Sequence, residues 1–375
     1  MLTPKEALIT LNLIPGLGSV RIQALLEFFG SAELVLQAKE TMLSMVPRIG
    51  PGLARAIADW RNCTNARAEM DCAEERGVRM VTITDEEYPS FLRRMSDPPI
   101  VLYVRGNWVE RDSDRSVSIV GTRQASPYGL TTARRFAREL ADAGCTIISG
   151  LARGIDTAAH LGALDAGGRT IAVLGFGMAG MYPAENAELA ERICAGNGAL
   201  VSEFPMYMRP SRTSFPQRNR IVAAWSRATL VVEAPQRSGS MHTATISASD
   251  YGNSVFAIPG QITSIGSTGC HALIRDGATL CTSPAELLED MQWNKAPQQL
   301  TLFDAIPRPA QESGHSLPDA ETAALLQALR AGYNTLDALC TALGQGAHSI
   351  TPLLMRLQIE RRIIPLPGGR FSEPV

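Results

Sequence analysis

Between about residues 84 and 292, short runs of apolar and β-branched residues alternate with helical stretches. The predicted strands are 116–120, 145–148, 170–174, 199–201, 229–232 and 255–258, and the predicted helices include 129–143 and 155–166. Strands that alternate with helices form a mostly parallel, doubly wound sheet, because each parallel connection needs a crossover that packs on a face of the sheet. This alternation predicts an α/β domain over residues 84–292.

In such a sheet the ligand lies beyond the carboxyl ends of the strands, so the segments that follow the strands are predicted to meet in one crevice. These segments are 121–123, 149–156, 175–177, 202–203, 215–220, 238–243, 259–260 and 269–274. Their small residues let backbone N–H groups approach an anion, and helix N-termini add a positive field. Full charges come from Arg123, Arg153, Arg218 and Arg220. The number of arginines suits several phosphates in a row better than one.

The stretch GFGMAG, residues 175–180, suggests a different ligand. It has the G-x-G-x-x-G spacing of a dinucleotide site, and Glu203 follows at a spacing that resembles the ribose-binding acid of such a site. The fingerprint needs a helix that begins within the glycine turn, whereas Pro183 would break a helix there. We therefore predict a glycine turn without a cofactor. A nucleotide-binding enzyme, including a phosphoribohydrolase, is the second hypothesis.

The residue pattern contains no recognisable catalytic or metal-binding constellation. The seven cysteines are scattered without a C-x-x-C pair, and the five histidines are equally dispersed. Asp156 is predicted to cap a helix or stabilise its dipole, and His242 and His271 are predicted to be hydrogen-bonded wall residues. We predict neither catalytic residues nor a metal site.

Residues 1–80 are predicted to form short helices with two similar turns, IPGLG at 14–18 and VPRIGPG at 46–52. An amphipathic helix follows each turn, at 20–29 and 53–60, which is typical of a helix-hairpin-helix or SAM-like domain. Such turns can hold a DNA phosphate. A helical packing module is the alternative that we favour, because neither turn has a cluster of basic residues beside it in the sequence.

Residues 293–317 are polar and contain prolines, which indicates a linker. The remainder, 318–375, is predicted to form helices near 319–330, 335–343 and 348–360, followed by a hairpin over 362–371. Three helices and a two-stranded wing are typical of a winged helix. The third helix offers few side chains that could read bases, so a protein-interaction role stays open, and a scaffold function is the third hypothesis.

The overall charge and hydropathy limit the possible partners. The formal net charge of −2 argues against one broad basic face, although it allows a local basic groove. Only three of the 35 basic residues are lysines. No apolar run approaches the roughly 20 residues that a membrane-spanning helix needs, so we expect a cytoplasmic protein without a membrane partner.

Six motifs, in this order along the chain, resemble those of the DprA/Smf family. They are DPPIVLYVRG (97–106), SIVGTR (118–123), SGLARGID (149–156), FPQRNRIVA (215–223), SGSMHTA (238–244) and VFAIPG (255–260). The resemblance covers about residues 84–290. The two terminal regions also look like those of longer family members, but less specifically.

The resemblance implies an extended Rossmann-like domain that binds single-stranded DNA, forms a homodimer through that domain and has no catalytic activity. Family members protect incoming DNA in natural transformation and help to load the RecA recombinase onto it. By motif match, the DNA-contacting candidates are Arg123, Ser149, Gly150, Arg153, Arg218, Asn219, Arg220, Ser238, Gly239 and Ser240.

Three residue pairs depart from the usual family pattern. Met241-His242 stands where two aliphatic residues are usual, Ala224-Trp225 where Gly-Leu is usual, and Cys270-His271 where Ser or Thr followed by Asn is usual. We expect these departures to change the rim of the pocket. They leave the arginines in place, so phosphate binding is expected to remain.

Overall fold

A computed structural model describes residues 2–293, 319–359, 362–366 and 370–372 of the chain. The chain divides into two compact units, Met1–Pro297 and Gln298–Val375. The predicted linker, 293–317, lies outside the described residues apart from Trp293. No helix in the described ranges is long and apolar enough to cross a membrane.

The first unit contains a sheet of nine strands. The strands are β1 (Arg79–Thr82), β2 (Val101–Gly106), β3 (Ser116–Val120), β4 (Thr146–Ser149), β5 (Thr170–Leu174), β6 (Gly198–Ser202), β7 (Ala228–Val231), β8 (Ser254–Ala257) and β9 (Thr279–Leu280). Their order in the sheet is β1-β2-β6-β5-β4-β3-β7-β8-β9. The strands β3 to β9 run parallel, whereas β2 pairs antiparallel with both β1 and β6. The mostly parallel, doubly wound sheet predicted from the sequence is confirmed.

Helices cover both faces of this sheet. They are α8 (Pro127–Asp142), α9 (Ile155–Asp165), α10 (Ala187–Ala195), α11 (Ser214–Trp225), α12 (Gly239–Ser249), α13 (Thr268–Arg275) and α14 (Pro284–Asp290), numbered after seven helices that precede the sheet. Ile119 packs in one core with residues of α8 and α9, and the next residue, Val120, packs in another with residues of α11 and α12. This alternation follows from the two-residue period of a strand, which sends successive side chains to opposite faces.

The order of the strands creates one switch point. From β3 the chain adds β4, β5 and β6 on one side and then crosses over to add β7, β8 and β9 on the other. The carboxyl ends of β3 and β7 therefore border a gap between crossovers that run in opposite directions, which is where doubly wound sheets bind ligands.

The N-terminal helices share a hydrophobic core with the antiparallel edge of the sheet. Ile9, Leu25 and Ile57 belong to the same buried cluster as Tyr103 of β2 and Met206. The helices are α1 (Pro4–Leu13), α2 (Ser19–Phe29), α3 (Ala32–Gln37), α4 (Glu40–Leu43), α5 (Pro51–Ala58), α6 (Trp60–Cys63) and α7 (Ala66–Glu75). These helices and the sheet therefore stabilise each other through one continuous apolar contact.

The two glycine turns of this region lie side by side. The guanidinium of Arg21 donates a 2.7 Å hydrogen bond to the Gly16 carbonyl in the first turn and a 3.2 Å bond to the Arg48 carbonyl in the second. Two exposed arginines thus lie at the turns, although the sequence showed no basic cluster there. A phosphate-binding role for the turns stays a prediction.

In its described residues the second unit contains three helices followed by two antiparallel strands, in the predicted order. Leu325, Leu339, Ile350 and Leu357 form its buried core. The elements are α15 (Asp319–Arg330), α16 (Leu336–Leu343), α17 (Ala347–Ile359), β10 (Ile364–Leu366) and β11 (Arg370–Ser372). Assignment of a winged helix with a binding function stays a prediction.

A buried histidine makes stability depend on pH. His160 in α9 is fully buried, its Nδ1 lies 2.7 Å from Thr170 Oγ1, and burial lowers its pKa to about 3. Below about pH 6.5 the imidazole of His160 binds a proton in the unfolded chain but stays neutral in the native chain. The free energy of unfolding therefore decreases by about 1.4 kcal/mol for each pH unit below this value.

We expect His160→Gln to remove this contribution, measured by urea unfolding between pH 6.5 and 4.5. Parallel pH profiles for the two proteins would contradict it.

Candidate functional site

A crevice of about 730 Å³ opens at the switch point of the sheet. Its walls come from the segment after β3 (120–124), the segment around the start of α11 (210–219) and the segment around the start of α12 (235–243). These three segments follow different strands of the parallel sheet, as the sequence predicts. The crevice is therefore formed by loops and helix starts on a rigid sheet.

Two helices begin at the crevice, and the N-cap residue of neither makes a capping hydrogen bond. Neither Thr213, the N-cap of α11, nor Ser238, the N-cap of α12, accepts a capping hydrogen bond among the described residues. The first N–H groups of a helix have no intrahelical acceptor, and the helix dipole makes this end positive. In α11 most of these donors are already used, because the Ser214 N–H donates to Ser211 Oγ (3.0 Å), residue 216 is a proline and the Gln217 N–H bonds to the Thr213 carbonyl. The start of α12 can therefore donate to an anion that enters the crevice, and α11 adds only the Phe215 N–H.

Three arginines line the same walls. The guanidinium of Arg123 lies 4.7 Å from the ring centre of Phe215, and Arg123 and Arg212 are exposed. Arg218 is buried at the floor. Arg212 was not among the contact residues predicted from the sequence. Its position just before α11, three residues from Phe215, could have indicated it.

Arg218 is held rigidly in place. Its Nη1 donates 2.8 Å to the Gly150 carbonyl and also donates to the Val173 carbonyl. A Cβ at Gly150 would lie 2.4 Å from this guanidinium, so glycine is needed for the approach. Burial lowers the pKa of Arg218 to about 10, which still leaves it charged at neutral pH. The crevice therefore has a fixed positive floor.

Asp156, in the first turn of α9, also lines the crevice. Its carboxylate accepts hydrogen bonds from the N–H groups of Gly150 (3.1 Å) and Ala152 (3.3 Å). Burial raises the pKa of Asp156, and the charge of Arg218 opposes that rise. These contacts tie the β4–α9 loop to the first turn of α9 but do not cap the helix, whose N-cap residue, Gly154, has no side chain. A carboxylate in the first turn fits the other predicted role, which is stabilisation of the helix dipole.

The structure divides the ten predicted contact residues into groups. Ser149 donates its hydroxyl hydrogen to the Ile119 carbonyl and, like Gly150, lies behind the wall of the crevice. Arg153 is exposed and pairs with Glu185, outside the lining residues. The six that line the crevice are Arg123, Arg218, Asn219, Ser238, Gly239 and Ser240.

Arg220 lies away from the crevice, contrary to the expectation from the sequence. It is buried, its Nη2 lies 2.6 Å from Glu203 Oε2, and its Nε lies 2.8 Å from Asp97 Oδ2. Burial raises the pKa of Glu203, while the charge of Arg220 opposes the rise. Glu203 is thus the partner of a buried arginine, and its resemblance to a ribose-binding acid was misleading.

The GFGMAG stretch brings two loops together. The N–H of Gly177 donates 2.9 Å to the Met208 carbonyl, and a Cβ at Gly177 would lie 1.9 Å from the Pro205 carbonyl oxygen. The next α-helix, α10, begins only at Ala187, well beyond the glycines. The helix start that a dinucleotide fingerprint requires is therefore displaced from the turn.

We expect Gly177→Ala to lower the free energy of unfolding by about 3 kcal/mol, because the new methyl group would overlap backbone that cannot rotate away. Gly180→Ala is the matched control, since a Cβ there meets no described atom within 4 Å. Urea unfolding of both variants measures the difference. Equal urea midpoints for Gly177→Ala and Gly180→Ala would show that the loops in contact at Gly177 can move apart without a loss of stability.

Among the residues that the structure describes, the histidines and other candidate ligands show no metal-binding arrangement. Nε2 of His271 lies 3.0 Å from the Gly260 carbonyl oxygen, whereas His242 is exposed. Within the described residues, no group of three or more His, Cys, Asp or Glu side chains could hold a metal ion.

A doubly wound sheet with an arginine-lined crevice at its switch point defines a Rossmann-like protein with a positively charged site. The family model of DNA recombination-mediator protein A matches residues 79–292, more than half of the chain. The chain belongs to this family, which confirms the resemblance to DprA/Smf proteins seen in the sequence.

Individual relatives agree with this assignment. Protein Smf of Escherichia coli is 38% identical over 301 residues, covering 79% of this chain and 78% of the relative. DNA processing protein DprA of Streptococcus pneumoniae is 41% identical over 248 residues, covering 63% of this chain and 86% of the relative.

Two solved structures share the fold. The crystal structure of DprA from Streptococcus pneumoniae covers 77% of this chain and 98% of its own, with a TM-score of 0.64 and 31% identity. A structure of DprA from Helicobacter pylori, described for its single-stranded DNA binding mode, covers 58% of this chain and 98% of its own, with a TM-score of 0.52 and 30% identity.

Proposed function

We propose that this protein binds single-stranded DNA in the crevice and mediates recombination by delivering the strand to RecA, without catalysing a reaction. The observation that carries the proposal is the convergence of the start of α12, whose N-cap residue makes no capping bond, with Arg123, Arg212 and Arg218 in one crevice. Donors and cations in one groove stabilise successive phosphates. The DNA binding of the Helicobacter pylori relative supports the same ligand.

The aromatic residues of the crevice favour a single strand over a duplex. Phe215 and Tyr182 both line it, with ring centres 5.9 Å apart, and Tyr182 is 42% exposed. An aromatic face stacks on an unpaired base, whereas the bases of a duplex already stack on each other. Because every base has such a face, we expect little sequence preference.

Fluorescence anisotropy with a labelled oligonucleotide tests the proposal. We expect the single strand to bind more tightly than the matching duplex, and the logarithm of its affinity to fall linearly with the logarithm of salt concentration. Equal affinity for both forms would contradict the proposed ligand. Micromolar binding of NAD, NADP or AMP to the crevice by calorimetry would favour the nucleotide-binding enzyme instead.

Further tests address the partners. We expect the protein to form a homodimer through the α/β domain, which sedimentation would reveal, and to act in the cytoplasm. It should accelerate RecA filament formation on a single strand and leave the length of that strand unchanged. An unchanged filament rate would limit the function to DNA binding, and a shortened strand would identify a nuclease.

A further inference from the structure

The segment that joins β6 to α11 has one end in the crevice. Residues 203–213, which we call the wall segment, contain no helix or strand. Pro210, Ser211 and Arg212, near the end of the wall segment, line the crevice. A single strand too long for the crevice must leave it, and the part of the wall segment before Pro210 lies beside one such exit.

Tyr207, in the middle of the wall segment, presents an aromatic ring to solvent. It is 69% exposed, more than any other aromatic residue that the structure describes. Aromatic side chains are large and apolar, so most of their surface is normally packed away from water. A ring that stays open to solvent has a face on which an unpaired base can stack.

The backbone beside this ring is firmly anchored. Met206 is buried in the same cluster as Ile9 of the N-terminal helices. Its N–H donates 2.7 Å to Oε1 of Glu69 in α7, and its carbonyl accepts a 2.9 Å hydrogen bond from the Ala179 N–H. Because both backbone groups of residue 206 are paired outside the wall segment, Tyr207 has a fixed starting point. A base that stacks on it orders little additional chain.

Positive charge lies beside the ring. The guanidinium carbon of Arg76, the C-cap residue of α7, lies 5.8 Å from the ring centre of Tyr207. Arg209 is exposed two residues after Tyr207, and Arg212 follows in the crevice. Glu75 lies 3.6 Å from Arg76, but both side chains are exposed and such a pair is weak, so a phosphate can replace it. An aromatic ring among arginines is typical of a surface that binds single strands.

The ring lies within reach of a strand that occupies the crevice. Tyr207 and Arg212 are five residues apart, and an extended chain spans at most about 3.6 Å per residue, so their Cα atoms are no more than about 18 Å apart. At a rise of about 3.4 Å per nucleotide, about five nucleotides cover this distance.

We propose that single-stranded DNA leaving the crevice runs along the wall segment to α7, with a base stacked on Tyr207 and phosphates beside Arg209 and Arg76. The proposal rests on the proposed function, and it gives the N-terminal helices a direct part in DNA binding. It predicts that Tyr207 matters only for strands long enough to extend beyond the crevice.

Anisotropy titrations with single strands of about 6 to about 20 nucleotides test this dependence on length. We expect Tyr207→Ala to bind the longest strand about fivefold or more weakly, which corresponds to the loss of one stacked base, and to bind the shortest strand like the unmodified protein. Tyr207→Phe keeps the ring and should bind every strand normally. Phe28→Ala removes another exposed ring, at the end of α2, and should have no effect on DNA binding.

Arg209→Ala gives a second measurement that does not depend on stacking. It should lower the slope of log affinity against log salt by about 0.7 for the longest strand and leave the slope for the shortest strand unchanged.

Three results would overturn the proposal: an unchanged affinity of Tyr207→Ala for the longest strand, an equal loss at every length, or a loss in Tyr207→Phe as large as that in Tyr207→Ala. A protein that bound no single strand at all would overturn the proposed function as well. If the variant that lacks Arg123 and Arg212 loses affinity while Tyr207→Ala does not, only the inference about Tyr207 fails.

Discussion

Replacing Arg123 and Arg212 together by alanine is expected to weaken single-stranded DNA binding roughly a hundredfold, or about 3 kcal/mol, if each arginine makes one charge-assisted contact with a phosphate. Both side chains are exposed in the crevice, so their loss removes charge without opening the core. The slope of log affinity against log salt should fall by about 1.4, since each contact with a single strand contributes about 0.7. Anisotropy titrations at several salt concentrations measure both effects.

The control removes the same charge elsewhere. Arg111 and Arg135 are exposed and lie outside the crevice lining, so their double alanine variant should retain the affinity and nearly the whole slope. If both double variants lose affinity equally, net charge rather than the crevice determines binding. Arg153→Ala adds a separate comparison, because the sequence predicts a contact at Arg153 whereas the structure pairs it with Glu185.

Replacing Arg220 by alanine is expected to lower the free energy of unfolding by about 3–5 kcal/mol. Arg220 is the partner of both Glu203 and Asp97, and the side chain of Glu203 is only 7% exposed. Without the guanidinium, the Glu203 carboxylate would stay buried with no opposite charge beside it. Urea unfolding at neutral pH measures the loss.

Two variants separate this effect from a general loss of an ion pair. Arg134→Ala breaks a pair with Asp165 at the surface, where the arginine side chain is 54% exposed, and should cost less than about 1 kcal/mol. Arg220→Met combined with Glu203→Leu replaces charges by apolar groups and should recover much of the stability. A folded Arg220→Ala protein with unchanged stability and reduced DNA binding would instead restore Arg220 to the DNA contact set.

The parallel part of the sheet could be predicted because its signal is local. Each buried strand, such as β3 or β5, is a short apolar run between helices, and the sequence predicts both of these strands with the bounds that the structure shows. The strands β1, β2 and β9 were not among the predicted strands. The direction and partner of β2 depend on contacts with β6, which lies far away in the sequence.

The placement of Arg220 outside the crevice has a geometric origin. The sequence treats 215–220 as a segment before a helix, whereas α11 already begins at Ser214. An α-helix turns about 100° per residue, so Arg218 and Arg220 point about 200° apart, and only one of them can face the crevice. If the sequence analysis had placed the start of α11 at Ser214, it would have predicted that Arg218 and Arg220 lie on opposite faces of the helix. The pairing of Arg220 with Asp97 and Glu203 depends on tertiary contacts that no local pattern shows.

The shared core of the N-terminal helices and the sheet has a consequence for how the first unit loses its structure. Ile9 and Ile57 pack in one buried cluster with Tyr103 and Met206, so the helices cannot detach without exposing apolar surface on both sides. Residues 2–293 should therefore melt in a single cooperative transition, with amide exchange equally slow in α1 and β2. The N-terminal helices are therefore part of the same folding unit as the sheet. A shorter protein without them would need polar residues in place of the apolar side chains that the sheet now buries against them.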